Sequence, residues 1–185
     1  PRGTYSSSSG SLGCRDCSVG HASNATGRST ACAACAVGKY QSSPGQVACF
    51  TCAAGTYADA PGSSACAGCA AGRHAGSEGA TGCAACKTGT AQPEAGTAAC
   101  RECDAGTYAD SNASSVCKKC AEGYHSQPGS TGCSECAVGY FHHKGACHEC
   151  EKGDWVGAVC DRTGLRLETV TLKPGYWRTS AASEE

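Results

Sequence analysis

The sequence predicts a small disulfide-rich fold: a linear, rod-like tandem array of units about 17 residues long, each a short β-hairpin with little helix. Three observations predict it. Among 185 residues, Leu, Ile, Val and Phe number 4, 0, 8 and 2, too few for an ordinary hydrophobic core. Nineteen residues are Cys, a density that marks a disulfide scaffold in an oxidising compartment or a metal-loaded chain in a reducing one. The third is the regular period of those cysteines, the mark of a repeat architecture.

The cysteines form nine C-x-x-C pairs: Cys14/Cys17, Cys32/Cys35, Cys49/Cys52, Cys66/Cys69, Cys83/Cys86, Cys100/Cys103, Cys117/Cys120, Cys133/Cys136 and Cys147/Cys150, with Cys160 alone. Successive pairs begin 18, 17, 17, 17, 17, 17, 16 and 14 residues apart. Three residues after each pair stands a glycine: Gly20, Gly38, Gly55, Gly72, Gly89, Gly106, Gly123, Gly139 and Gly153. Repetition within one chain predicts a backbone position of positive φ that a Cβ would obstruct. Two residues further comes a ring in most units (Tyr40, Tyr57, His74, Tyr108, His125, Phe141, Trp155), replaced by Ala22 and Ala91 in two. A second glycine recurs four residues before a pair (Gly10, Gly45, Gly62, Gly79, Gly96, Gly129), and Pro44-Gly45, Pro61-Gly62 and Pro128-Gly129 read as type II turns. Such units are irregular hairpins whose strands run two to four residues at most.

So many cysteines allow too many connectivities for sequence to decide, yet one scheme fits the repeat and the odd count together. It joins the second Cys of each pair to the first of the next: Cys17–Cys32, Cys35–Cys49, Cys52–Cys66, Cys69–Cys83, Cys86–Cys100, Cys103–Cys117, Cys120–Cys133, Cys136–Cys147 and Cys150–Cys160. Cys14 is left over. Pro1-Arg2-Gly3-Thr4-Tyr5 repeats Ala53-Ala54-Gly55-Thr56-Tyr57, so its partner is expected ahead of Pro1 in a longer native chain. Each bridge stabilises by about 3 kcal/mol, against roughly 25 kcal/mol to order a unit, so hairpin hydrogen bonds and rings packed on neighbouring bridges must supply the rest. Zinc is the rival, because paired C-x-x-C motifs also make four-cysteine fingers. It would take the pairs two at a time, leaving one pair and Cys160 idle, and the units do not divide into fingers.

Net charge is −1, with 15 basic residues spread along the chain, which leaves no footprint for nucleic acid. No apolar run approaches a membrane span, so no membrane insertion is expected of this segment. No Ser elbow, H-E-x-x-H or phosphate-cradling loop appears, and a non-enzymatic protein without cofactor is expected. Cys14 reads as an orphan of truncation rather than a nucleophile. Asn24-Ala25-Thr26 and Asn112-Ala113-Ser114 are N-glycosylation sequons in polar stretches. His142, His143 and His148 crowd Cys147 with ligand-type side chains, but exposed polar residues are the preferred reading and no metal is expected. The array is expected to occupy residues 1–160 and a tail residues 161–185. Leu165, Leu167, Val170 and Leu172 there predict one strand, and Tyr176 and Trp177 are expected to pack on a following domain.

The unit C-x-x-C-A-x-G-T-Y-x-x-x-x-G-x-x-x-C-x-x-C, clearest from Cys49 to Cys69 and from Cys100 to Cys120, resembles the ephrin-receptor-like cysteine-rich repeat. It is also similar to the first sub-module of tumour-necrosis-factor-receptor repeats. The resemblance implies the same sequential pairing and an extracellular or cell-surface setting. Such arrays occur in receptor ectodomains and in very large algal and protist surface proteins, whose alanine- and glycine-rich filler and Lys-Pro-Gly-Tyr-Trp-Arg element look like this chain's. The expected function is structural: a disulfide-stapled spacer or subunit of a cell-surface or flagellar fibre, mastigoneme-like or of the cell wall. It would associate with itself or with other surface proteins and carry glycans. The alternative is a receptor or adhesin ectodomain that binds a protein ligand, with Phe50 and Phe141-His142-His143-Lys144 as local candidates. An intracellular zinc protein is the remote third.

Overall fold

The computed structural model describes residues 1–6, 13–27 and 29–176. Two compact units divide the chain, one of residues 1–101 with 111–116, the other of residues 102–110 with the chain from Cys117 onward.

In the first unit each repeat begins with a turn forced by its glycine. At Ala36-Val37-Gly38-Lys39 the Lys39 N–H donates to the Ala36 carbonyl at 3.0 Å, and Gly38 has φ +76°, the type II geometry. A two-residue strand follows and pairs antiparallel with the dipeptide inside the next C-x-x-C. Thr4–Tyr5 pairs with Arg15–Asp16, His21–Ala22 with Ala33–Ala34, Lys39–Tyr40 with Phe50–Thr51, Thr56–Tyr57 with Ala67–Gly68, and Arg73–His74 with Ala84–Ala85. Hairpins this short are not stable alone.

Backbone hydrogen bonds between repeats make up the deficit. The turn glycine donates to a carbonyl in the next repeat: Gly3 to Ser23, Gly20 to Gln41, Gly38 to Ala58, Gly55 to Ala75 and Gly72 to Gln92, at 2.7–2.8 Å. The second turn donates back to a bridging cysteine: Gly45 to Cys17, Gly62 to Cys35, Gly79 to Cys52, Gly96 to Cys69 and Ala113 to Cys86, at 2.7–2.8 Å. A third set runs from Ser23, Gln41, Ala58, Ala75 and Gln92 to Gln46, Ser63, Ala80, Thr97 and Ser114. These bonds bring backbones so close that a Cβ on Gly38 would collide with the Gly79 carbonyl oxygen. Glycine therefore serves both the positive φ and the close approach.

The interior of this unit is sulfur and methyl groups. Cys17, Cys35, Cys52, Cys69 and Cys86 are buried, as are Ala22, Ala58, Ala75 and Ala91. Ala22 and Ala91, which replace the ring, are thus interior positions. Two glutamines are also buried. Gln41 donates from Nε2 to the Ala48 carbonyl at 2.7 Å and accepts from the Ser43 N–H at 3.1 Å; Gln92 repeats this with Ala99 and Glu94. Each satisfies two backbone groups of its own loop, which removes the cost of burying an amide.

The second unit continues the same pattern with Thr107–Tyr108 on Lys118–Lys119 and Tyr124–His125 on Glu135–Cys136. It then changes character. Tyr140–His143 and Ala146–Glu149 form a four-residue hairpin, and Ala158–Val159 pairs with Thr171–Leu172. Between them lies an apolar cluster of Phe141, Ala158, Leu165 and Val170, with Cys150, Trp155, Cys160, Leu167 and Leu172 packed around it. The single strand expected over Leu165–Leu172 is instead a 3-10 turn, Leu167–Thr169, followed by the two-residue strand Thr171–Leu172. Thr169 ties the turn to Arg166, its N–H donating to the Arg166 carbonyl at 2.8 Å and its Oγ1 accepting from the Arg166 N–H at 3.2 Å. That turn lets Leu165 and Val170 enter the same core, which an extended chain would place on opposite faces.

Candidate functional site

The feature that organises this molecule is its ladder of bridges. Nine disulfides stand among the described residues: Cys17–Cys32, Cys35–Cys49, Cys52–Cys66, Cys69–Cys83, Cys86–Cys100, Cys103–Cys117, Cys120–Cys133, Cys136–Cys147 and Cys150–Cys160. Their sequence separations fall from 15 at the first to 14 in the middle repeats and 10 at the last. Cys14 is a free, exposed thiol.

Among the described residues, one group of three His, Cys, Asp or Glu ligand atoms converges within 4.8 Å, formed by His74, Cys86 and Cys100. The two sulfurs are bonded to each other and offer no thiolate to a metal. His142, His143 and His148 do not converge in this way; two of their rings pack on the apolar cluster. The His148 ring stacks on Phe141 with centroids 5.8 Å apart, and His143 meets Trp155 edge-on at 5.6 Å. Phe141 is 0% exposed, which removes the Phe141-His142-His143-Lys144 segment as an apolar contact patch. Phe50, the other candidate, is 58% exposed and sits beside Tyr40, ring centroids 5.8 Å apart.

Both sequon asparagines are exposed. Asn112 Oδ1 accepts the Thr88 N–H at 3.2 Å, and Ser114 Oγ donates to the Ser111 carbonyl at 2.7 Å. Ala113 between them has φ +59°, in a turn where other repeats use glycine.

Exposed ion pairs decorate the second unit. Lys118 lies 2.8 Å from Asp110, Lys152 is 2.9 Å from Glu149, and Lys173 pairs with Glu151. The hydrogen bond and charge of Asp110 hold the Lys118 ammonium above its ordinary pKa, and Glu149 and Glu151 do the same for Lys152 and Lys173. The Tyr140 hydroxyl is also pushed up, by desolvation first and then by Glu122 and Glu149. Tyr176 packs its ring over Gly157, while Trp177 and the rest of the tail lie outside the described residues. No helix among the described residues is long and apolar enough to cross a membrane.

Tandem bridged hairpins with almost no helix define a small disulfide-rich repeat protein, and so many bridges fit an extracellular or secreted chain. Residues 20–65 match the family model described as tyrosine-protein kinase ephrin type A/B receptor-like. The match spans the bridges Cys35–Cys49 and the first half of Cys52–Cys66, and the same bridge register continues beyond it to Cys117. No curated protein matches the chain.

Proposed function

We propose that this chain is a non-enzymatic extracellular structural element, a disulfide-stapled spacer or subunit of a cell-surface fibre. It associates with copies of itself or with other surface proteins and carries N-linked sugar at Asn24 and Asn112. The observation that supports this reading is the recurrence of the same three backbone hydrogen bonds from repeat to repeat, which link neighbours through main chain rather than through variable side chains. Such an interface tolerates drift in the exposed residues, as a spacer requires.

The bridges also bound what tension can do. With Cys52–Cys66 closed, a stretched repeat offers three residues from Cys66 to Cys69 plus the 5.7 Å between bridged Cα atoms. That amounts to about 16 Å per repeat, against roughly 60 Å with the bridge open. Antibodies against residues 29–101 should label intact, unpermeabilised cells and fibres sheared from them, and those fibres should lengthen irreversibly under load after reduction. Label confined to permeabilised cells would overturn the reading.

Phe50 favours one second reading, a receptor or adhesin that takes a protein ligand on this exposed ring. A one-to-one complex with a soluble protein, lost on Phe50→Ser, would decide for it.

A further inference from the structure

Among the described residues one bridge has an imidazole nitrogen shown in contact with one of its sulfurs. His74 Nδ1 lies 3.2 Å from Cys100 Sγ, and a His74 ring nitrogen and the sulfurs of Cys86 and Cys100 all fall within 4.8 Å of one another. In the repeat register Tyr40 and Tyr57 hold the same place relative to Cys52–Cys66 and Cys69–Cys83. A phenol accepts no proton usefully near neutral pH, whereas an imidazole does.

We propose that Cys86–Cys100 is the redox-labile bridge of the array, a modification site opened by small dithiols ahead of its neighbours, with His74 relaying the proton. Cys86 is buried and Cys100 half-buried, so an entering thiol meets the Cys100 sulfur first. As the thiol sulfur bonds to Cys100 Sγ, its proton passes to Nδ1 of the neutral His74 ring, in the tautomer whose own hydrogen is on Nε2. The bond between Cys86 and Cys100 breaks, and its electron pair leaves on Cys86 Sγ, which takes the proton from His74. The second thiol of the dithiol then attacks its own sulfur in the mixed disulfide, releasing Cys100 as a thiol and departing as a cyclic disulfide. The dithiol loses two electrons and two protons, and the bridge gains both. Base assistance at the point of attack raises the thiolate fraction, which governs such exchange.

Because successive bridges close separate stretches of sequence, opening this one frees the loop from Cys86 to Cys100 and leaves Cys69–Cys83 intact. The bridge would act as a local release in a stapled chain, a role additional to the spacer reading and independent of where the protein resides.

The test uses the intact protein with Cys14 first blocked by N-ethylmaleimide. Limiting dithiothreitol near neutral pH is followed by timed alkylation and peptide mapping. Cys86 and Cys100 should label about tenfold faster than Cys52, Cys66, Cys69 and Cys83, and His74→Tyr should bring them to the neighbours' rate. His74→Phe should do the same. Equal rates among these bridges in the unaltered protein, or fast opening that survives in His74→Tyr, would overturn the proposal. The ranking in the unaltered protein decides even where a variant misfolds.

Discussion

The stapled repeats of residues 13–101 and the region of residues 139–176 solve the same problem in opposite ways. Among the described residues these repeats contain no buried large apolar side chain, and their interior is cysteine sulfur, alanine methyl, the Ser23 hydroxyl and two folded-in glutamines. Backbone approaches backbone directly, so glycine is the residue that cannot be changed. The C-terminal region has shorter bridged loops but buries Phe141, Leu165 and Val170 together. A Cβ on Gly139 there would meet nothing within 4 Å. The contrast teaches that side-chain packing relaxes the demand for close backbone contact, and that a chain poor in leucine must meet that demand at every repeat.

Removing the core of the C-terminal region should have the largest effect. Phe141→Ala is expected to cost about 4 kcal/mol, with hydrogen-exchange protection lost over residues 139–172 and retained at Cys35–Cys69. Equal loss in both regions would break the contrast. Gly38→Ala should cost about 3 kcal/mol, combining left-handed strain with the clash against Gly79, whereas Gly139→Ala should cost about 1 kcal/mol from φ alone. Denaturant titration of the two variants side by side gives the difference. Ala113→Gly relieves a positive φ and should stabilise by about 1 kcal/mol, read as a shift of the urea midpoint at unchanged slope.

The smallest effect is electrostatic. The Lys118 pKa is raised in the folded state by its bond to Asp110, so its contribution is complete below the unfolded lysine pKa and is lost as pH rises through the folded value. Lys118→Gln should therefore lower the thermal midpoint near neutral pH, and only slightly, because the pair is exposed. It should also flatten the loss of stability seen above the ordinary lysine range.

The repeat was legible because its signals are local. Cysteine spacing, the invariant glycine and the Pro-Gly turns each report a backbone constraint within a few residues, and the short hairpins follow from them. What lay beyond the sequence were partners set by the stacking. Nothing at Gly45 announces that its N–H seeks the Cys17 carbonyl. Gln41 and Gln92 stand in polar stretches, and their burial depends on carbonyls at Ala48 and Ala99 that an extended reading does not bring near. The hydrophobic pattern from Leu165 to Leu172 was visible, but its break in phase marks a turn, with Thr169 capping it, rather than a flaw in a strand. Phe141 looked like one end of an exposed cluster because its covering residues, Leu165 and Val170, arrive from beyond the next two bridges.

The order of the bridges also fixes what a single cut in the chain can do. Each disulfide encloses its own loop, and no two loops overlap, so scission after Lys39, Arg73 or Lys87 leaves both halves covalently joined. Scission between the cysteines of a pair has no such insurance. Arg15, Arg101, Lys118 and Lys119 lie in those dipeptides and are exposed. From Cys17 to Cys160 the chain is topologically a string of closed rings joined by two-residue links, and within that stretch separation by trypsin-like proteases is confined to the links that carry a basic residue, leaving Ala33-Ala34, Ala67-Gly68 and Ala84-Ala85 resistant.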